Sequence, residues 1–113
     1  MEQKYQHIGV IGAGAWGTAL AATLARGGRN VTLWSREPDV ARQITERREN
    51  VTYLKGIELP LGIQAVSGLE ELSRCEALVL ATPAQHTEGI ALQLADGRFL
   101  AVSCPVILAA KGI

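Results

Sequence analysis

Short apolar runs alternate with stretches of helical periodicity along the chain. Five runs predict β-strands, at residues 8–11, 31–34, 63–66, 77–81 and 106–110. Helices are predicted at residues 18–26, from Pro38 onwards and at 85–94, with a short helical turn at 69–72 and a loop at 50–61. Because strands that are apolar on both faces alternate with helices, we expect an α/β domain with a doubly wound parallel sheet and right-handed crossovers.

The composition narrows the classes of protein to which this domain can belong. The 113 residues are 48% apolar and 19% charged, which suits one globular domain. Eleven basic residues balance eleven acidic ones, which excludes nucleic-acid binding through bulk charge, though not through a local patch. No apolar run approaches the roughly 18 residues that a membrane span needs, and residues 1–7 lack the apolar core of a signal peptide. We therefore expect a cytoplasmic protein with no integral membrane contact.

The cysteines and histidines do not form a recognisable metal site. Cys75 and Cys104 are far apart and outside any CxxC pair, and His7 and His86 are isolated. Two free thiols in a reducing cytosol are predicted, and a structural disulfide is the alternative.

The most informative local feature is the sequence Gly12-Ala13-Gly14-Ala15-Trp16-Gly17, which fits GxGxxG between a predicted strand and a predicted helix. Gly12 permits the tight turn, Gly14 lets a pyrophosphate approach the backbone, and Gly17 lets the helix pack closely on the strand. The first helical N–H groups then face the phosphates. The turn predicts a dinucleotide site in a Rossmann-like fold, and a turn that merely packs a helix is the alternative. Trp16 either packs under the turn or shapes the mouth of the site.

The end of the second predicted strand bears on the choice between NAD and NADP. In such folds a carboxylate there binds the ribose 2′-hydroxyl of NAD, whereas an arginine accepts the 2′-phosphate of NADP. Ser35 and Arg36 offer a hydroxyl and a guanidinium, and Glu37 could repel a phosphate if it turned inward. The pattern favours NADPH, with a solvated surface charge as the alternative role of Arg36.

Four segments together resemble NAD(P)-dependent glycerol-3-phosphate dehydrogenases. They are Gly12 to Ala21, Asn50 to Pro60, Thr82 to Gln85 and Ala110 to Ile113, and they are spread over nearly the whole chain. Lys55 stands where the family usually has proline. The resemblance implies reversible reduction of dihydroxyacetone phosphate to sn-glycerol 3-phosphate by NADH or NADPH, a reaction that starts glycerophospholipid synthesis.

The resemblance also implies particular site residues. The family's cofactor contacts map onto Gly12, Gly14, Ala15, Trp16, Gly17, Arg36 and Lys111. Lys111 is also expected to touch the substrate, and Tyr53 to line the same cleft. Independently, Lys111 directly follows the last predicted strand, and ligands of open α/β sheets bind at the carboxyl ends of strands. A lysine there could hold a substrate phosphate or polarise a carbonyl, and a solvated strand-end charge is the alternative.

The domain is expected to be incomplete. Five strands are predicted where a full dinucleotide domain usually has six, and the sequence ends inside the Lys111-Gly112 motif. We expect residues 1–113 to be an N-terminal dinucleotide-binding domain, truncated after the fifth strand. The C-terminal domain of the family, with its general acid/base lysine, is absent, so the piece is expected to be inactive alone. A nucleotide-sensing regulatory domain and a dehydrogenase of another small 2-hydroxy or 2-keto acid are the alternatives, and a homodimer stays open.

Overall fold

The computed structural model describes residues 6–82 and the backbone of residues 106–108. Its elements are β1 (His7–Ile11), α1 (Ala15–Arg26), β2 (Asn30–Trp34), α2 (Pro38–Arg47), β3 (Ile63–Val66), a 3₁₀ turn (Leu69–Leu72), β4 (Ala77–Leu80) and β5 (Val106–Leu108). Each of the five predicted strands is present. The helix predicted at residues 85–94 lies outside the described residues.

Four predicted boundaries differ from the structure, and β1 and β2 each begin one residue earlier than predicted, at His7 and Asn30. Helix α1 begins at Ala15 rather than at Thr18, because Gly14 is already its N-cap and the glycine-rich turn supplies the first helical turn. Strand β4 ends at Leu80, one residue earlier than predicted, although the Ala81 N–H still donates to the Ile11 carbonyl at 2.8 Å. Helix α2 begins at Pro38 as predicted, since proline suits the first helical position, where no backbone N–H is needed.

The five strands form one parallel sheet in the order β3-β2-β1-β4-β5. The chain moves outward from β1 through β2 to β3, then returns to the other side of β1 for β4. The strand order therefore reverses between β1 and β4, and ligands of open α/β sheets bind beyond the carboxyl ends of strands at such a point. The predicted doubly wound α/β class is confirmed.

Apolar side chains cover both faces of the sheet. Successive residues of a strand point to opposite faces. Accordingly, Val10 and Leu33 pack with buried residues of α1 and α2, whereas Ile11 and Trp34 pack with Leu72 of the 3₁₀ turn. Because both layers reach the last residues of β1 and β2, the backbone that follows these strands starts from a fixed position.

The amino end of β1 is fastened by a carboxylate. Glu76 precedes β4, and its Oε1 accepts the backbone N–H groups of Gln6 at 2.6 Å and His7 at 2.9 Å. These hydrogen bonds hold the pKa of Glu76 below its ordinary value because they favour the charged carboxylate. The His7 hydrogen bond has the larger effect and the Gln6 hydrogen bond the smaller. The contact joins β1 and β4 at the edge of the sheet opposite the glycine-rich turn.

Candidate functional site

The glycine-rich turn leaves β1 at the strand-order reversal. The Gly12 N–H donates to the Trp34 carbonyl at 2.9 Å, which ties the start of the turn to the end of β2. The first hydrogen bond of α1 runs from the Thr18 N–H to the Gly14 carbonyl at 3.0 Å. The N–H groups of the first helical turn, before Thr18, have no acceptor within the helix, so an anionic ligand can accept their hydrogen bonds. This turn carries no acidic side chain that would repel such a ligand.

The three glycines of this turn have different roles. Gly12 has a φ of +117°, and a Cβ there would lie 2.8 Å from the Ala81 carbonyl oxygen. A Cβ at Gly17 would lie 1.7 Å from the Gly12 carbonyl oxygen, so this position must stay bare for the helix to meet the turn. Around Gly14, in contrast, a Cβ would meet no atom within 4 Å. Gly12 and Gly17 are therefore demanded by the fold, whereas nothing in the described protein occupies the space beside Gly14.

The end of β2 forms the next part of the site. Ser35 is buried, and its hydroxyl both accepts the Glu37 N–H and donates to the Glu37 carbonyl, each at 3.0 Å. In this structure the Ser35 hydroxyl proton is donated to the Glu37 backbone, and a contact of Ser35 with a phosphate stays a prediction. Arg36 and Glu37 are exposed, so their side chains are the charged groups at this strand end.

A third segment, residues 50–54, packs against the glycine-rich turn. Asn50 is fully buried, and its amide donates to the Ala13 carbonyl and to the Thr18 hydroxyl, both at 2.8 Å. Its carbonyl oxygen accepts the Tyr53 N–H at 3.0 Å. A buried amide is stable only when its donors and acceptor are satisfied, and here they join two distant parts of the chain.

Tyr53, in the same segment, contacts the residues that follow β2. Its hydroxyl donates to the Glu37 carboxylate at 2.5 Å. This hydrogen bond, followed by burial and the charge of Glu37, raises the pKa of Tyr53, and the charge of Arg36 works in the opposite direction. The phenol is therefore the hydrogen-bond donor of the pair throughout the physiological range of pH.

These segments enclose a cleft of about 290 Å³ at the carboxyl edge of the sheet. It is lined by Gly12, Ala13, Gly14, Ala15, Trp16, Trp34, Ser35, Arg36, Glu37, Tyr53, Ala81 and Thr82. Trp16 is 40% exposed, so its ring belongs to the cleft mouth rather than to the packing under the turn. The bare Gly14, the helix N-terminus and the cationic Arg36 together fit a ligand with a diphosphate group.

A larger concavity of about 460 Å³ lies at the amino edge of the sheet, between His7, Asn30, Gly62 and Arg74. The glycine-rich turn does not line this concavity, and the 3₁₀ turn that does is too short to bind an anion at its N-terminus. Because ligands of such sheets bind at the carboxyl edge, the smaller cleft is the candidate site.

Comparison with known proteins identifies the family of the chain. A family model described as the N-terminus of NAD-dependent glycerol-3-phosphate dehydrogenase matches residues 7–113. The chain belongs to this family. The resemblance stated from the sequence is thereby confirmed.

Relatives within the glycerol-3-phosphate dehydrogenase family match almost the whole chain. A glycerol-3-phosphate dehydrogenase [NAD(P)+] of Maricaulis maris is 44% identical over 97% of this chain and 32% of its own length. The crystal structure of the Coxiella burnetii glycerol-3-phosphate dehydrogenase is 29% identical with a TM-score of 0.81, covering 96% of this chain and 33% of that one. The Saccharomyces cerevisiae glycerol-3-phosphate dehydrogenase is 28% identical with a TM-score of 0.84, covering 96% and 34%. The chain spans about one third of the length of these relatives.

The structure brings most of the sequence-predicted site residues together. Gly12, Gly14, Ala15, Trp16, Arg36 and the expected neighbour Tyr53 line one cleft, and Gly17 is buried in α1. Lys111 lies outside the described residues. The sequence analysis used the segment from Asn50 to Pro60 only for its family resemblance. It did not predict that the buried Asn50 side chain would hold this segment against the glycine-rich turn.

Two further observations concern the described residues alone. Within residues 6–82 and 106–108, no helix is long and apolar enough to cross a membrane, and no three metal-ligating side chains gather. Cys75 is buried in the core, and Cys104 lies outside the described residues.

Proposed function

We propose that this chain is the NAD(P)H-binding part of an oxidoreductase that interconverts dihydroxyacetone phosphate and sn-glycerol 3-phosphate. The observation that carries the proposal is the open space beside Gly14, next to a helix N-terminus at the strand-order reversal. Membership of the glycerol-3-phosphate dehydrogenase family supplies the substrate class, and the reaction would serve glycerophospholipid synthesis. When bound, the nicotinamide cofactor supplies or accepts the hydride.

Different residues of the cleft are proposed to bind different parts of the cofactor. Backbone N–H groups of the first turn of α1, beginning at Ala15, donate to the diphosphate, which Gly14 admits. Trp16 borders the mouth of the cleft and keeps the bound nucleotide from lying further out. Arg36 stands at the end of β2, where the adenosine ribose is bound in such folds, and its guanidinium favours NADPH over NADH.

Lys111 is proposed to contact both the cofactor and the substrate. It follows β5, which lies beside β4 in the sheet, so the chain leaves β5 at the same carboxyl edge as the glycine-rich turn. An ammonium group at that edge can hold the substrate phosphate or polarise the ketone. The general acid/base lysine is proposed to come from the remainder of the full-length protein, so residues 1–113 alone should bind nucleotide weakly and not turn over.

The same proposal extends to partners and location. The partners are two small phosphorylated substrates and a nicotinamide nucleotide, with no nucleic acid and no integral membrane contact. A cytoplasmic location and a homodimer remain parts of the proposal, and cell fractionation and sedimentation of the full-length protein would test them.

The test of the proposed function is a substrate and cofactor panel on the full-length protein. Dihydroxyacetone phosphate, ketopantoate and a simple 2-keto acid are each offered with NADPH and with NADH, and the absorbance of the reduced nicotinamide is followed. Oxidation of the nicotinamide with dihydroxyacetone phosphate alone is the expected result. Turnover with a 2-keto acid instead, or tight nucleotide binding without any turnover, would overturn the proposal in favour of another dehydrogenase or a nucleotide sensor.

A further inference from the structure

The carbonyl group of Ala13 points inward from the glycine-rich turn. Ala13 is buried, and its carbonyl comes one residue before that of Gly14, the first carbonyl that a helical N–H reaches. Among the described residues no backbone N–H donates to the Ala13 carbonyl, and its partner is instead the side-chain amide of Asn50 at 2.8 Å. Asn50 therefore supplies a hydrogen bond that the helix does not, to a buried group that needs one.

The Asn50 amide fits its site in one orientation only. Its nitrogen donates to the Ala13 carbonyl and to the Thr18 hydroxyl, both at 2.8 Å, so both of its hydrogens are used. Its oxygen accepts the Tyr53 N–H at 3.0 Å. Because a backbone carbonyl only accepts and a backbone N–H only donates, exchanging the two ends of the amide would break both contacts. Asn50 thus holds the Ala13 carbonyl in a fixed direction.

The direction of the Ala13 carbonyl also sets that of the next N–H group. The peptide bond between Ala13 and Gly14 is trans, so its C=O and N–H lie in one plane and point in opposite directions. With the carbonyl held against buried Asn50, the Gly14 N–H points away from the protein interior. Within residues 6–82 nothing accepts this N–H, and Gly14 lines the cleft. The Gly14 N–H is therefore a donor available to a ligand.

The neighbouring donor, the Ala15 N–H, is oriented in a different way. It shares a peptide unit with the Gly14 carbonyl, which accepts the Thr18 N–H at 3.0 Å as the first hydrogen bond of α1. The helix itself therefore orients the Ala15 N–H, whereas a side chain from a distant loop orients the Gly14 N–H. Asn50 in effect extends the row of donors at the helix N-terminus by one residue.

We propose that Asn50 is a positioning residue for the diphosphate of the nicotinamide nucleotide, acting through the peptide between Ala13 and Gly14. The inference rests on the proposed function, because it assumes that NADH or NADPH binds in this cleft. Asn50 itself does not line the cleft. It holds the Ala13 carbonyl inward, so that the Gly14 N–H is already directed at a diphosphate oxygen before the ligand arrives. Such preorganisation strengthens binding because no group has to be reoriented on association.

The experiment compares two neutral substitutions of similar shape in the same buried cluster, both in the full-length protein. Asn50→Leu removes the donor to the Ala13 carbonyl. Thr18→Val is the matched control, because it removes the other acceptor of the Asn50 amide and keeps the bond to Ala13. Dissociation constants are measured for ADP by isothermal titration calorimetry and for adenosine by ligand-observed NMR. Their ratio isolates the contribution of the diphosphate, and urea unfolding reports the stability of each variant.

The two variants are expected to differ in this ratio. Asn50→Leu should reduce the preference for ADP over adenosine roughly tenfold, the effect of losing one hydrogen bond to a charged group, and leave adenosine affinity within twofold of wild type. Thr18→Val should keep the wild-type preference within twofold even where its unfolding midpoint falls. A purely structural Asn50 would instead weaken ADP and adenosine alike, and that result would overturn the inference.

A measurement on the wild-type protein decides the matter if Asn50→Leu does not fold. In amide proton–nitrogen NMR spectra, saturating ADP should move the Gly14 amide proton downfield, because that proton gains a charged acceptor. Adenosine should leave it in place. A Gly14 amide proton that ADP does not move would overturn the inference.

The proposed function and this inference fail in distinguishable ways. A wild-type protein that binds neither NADPH nor ADP would overturn both. If the wild type binds both ligands and the ADP preference of Asn50→Leu stays within twofold of that of Thr18→Val, the inference alone is overturned.

Discussion

Gly14 and Gly17 are three residues apart, and their replacement is expected to have separate consequences. At Gly17 a methyl group would lie 1.7 Å from the Gly12 carbonyl oxygen, far inside contact distance, and a backbone atom cannot rotate away. We expect Gly17→Ala to lower the free energy of unfolding by about 3 kcal/mol or more, at or above the upper end of the usual cost of overpacking.

At Gly14 the same methyl meets nothing within 4 Å. The backbone there has φ −77° and ψ −169°, an extended conformation that any residue adopts. Gly14→Ala should change stability by no more than about 1 kcal/mol, because the lost freedom of the unfolded chain is offset by the poorer N-cap that alanine makes. Gly14→Val should also fold, but its two methyl groups would fill the space through which a diphosphate reaches the backbone. We expect its nucleotide affinity to fall at least about tenfold, or about 1.4 kcal/mol.

The assay combines urea unfolding with calorimetric titration of NADPH, both on the full-length protein. Gly14→Val should lose affinity and keep its unfolding midpoint, and Gly17→Ala should lose stability. The reasoning would be refuted by a folded Gly14→Val protein that binds NADPH within twofold of wild type. It would equally be refuted by a Gly17→Ala protein as stable as wild type, since the close approach to Gly12 would then not exist.

Three further predictions follow from single side chains. Arg36→Ala should weaken NADPH by about 1.5–3 kcal/mol and NADH much less; calorimetry in which both fall equally would show that Arg36 does not bind the 2′-phosphate. Lys111→Ala should lower kcat more than cofactor affinity, and steady-state kinetics equal to wild type would make Lys111 a bystander. Glu76→Gln should be less stable than wild type at neutral pH. Because the folded-state pKa of Glu76 is lowered, its stabilisation is present above the pKa of the unfolded chain and is lost as pH falls through the folded-state pKa. Urea unfolding should therefore show the difference shrinking in acid, and a difference independent of pH would contradict the cause.

Most of the fold could be predicted from local sequence patterns. The apolar runs and Pro38 located four strands and the start of α2 within a residue, because burial on both faces leaves a continuous apolar pattern. The start of α1 was placed too late because glycine has a low helix propensity, whereas the structure includes Gly17 in the helix, where its bare backbone lies close to the Gly12 carbonyl.

The contacts that shape the site could not be predicted from the sequence, because they join residues that are far apart along the chain. Asn50 bonds to Ala13 across 37 positions, and Tyr53 bonds to Glu37 across 16. A buried asparagine inside a loop segment looks like any turn residue until its partners are known. Ser35 makes hydrogen bonds with the Glu37 backbone that the sequence pattern did not predict.

The most direct test of the central claim is a crystal structure of the full-length protein with NADPH. The account predicts the diphosphate within hydrogen-bond distance of the N–H groups that begin α1, against Gly14, with the 2′-phosphate beside Arg36. Nucleotide bound instead in the concavity at the amino edge of the sheet, near Gly62 and Arg74, would contradict it.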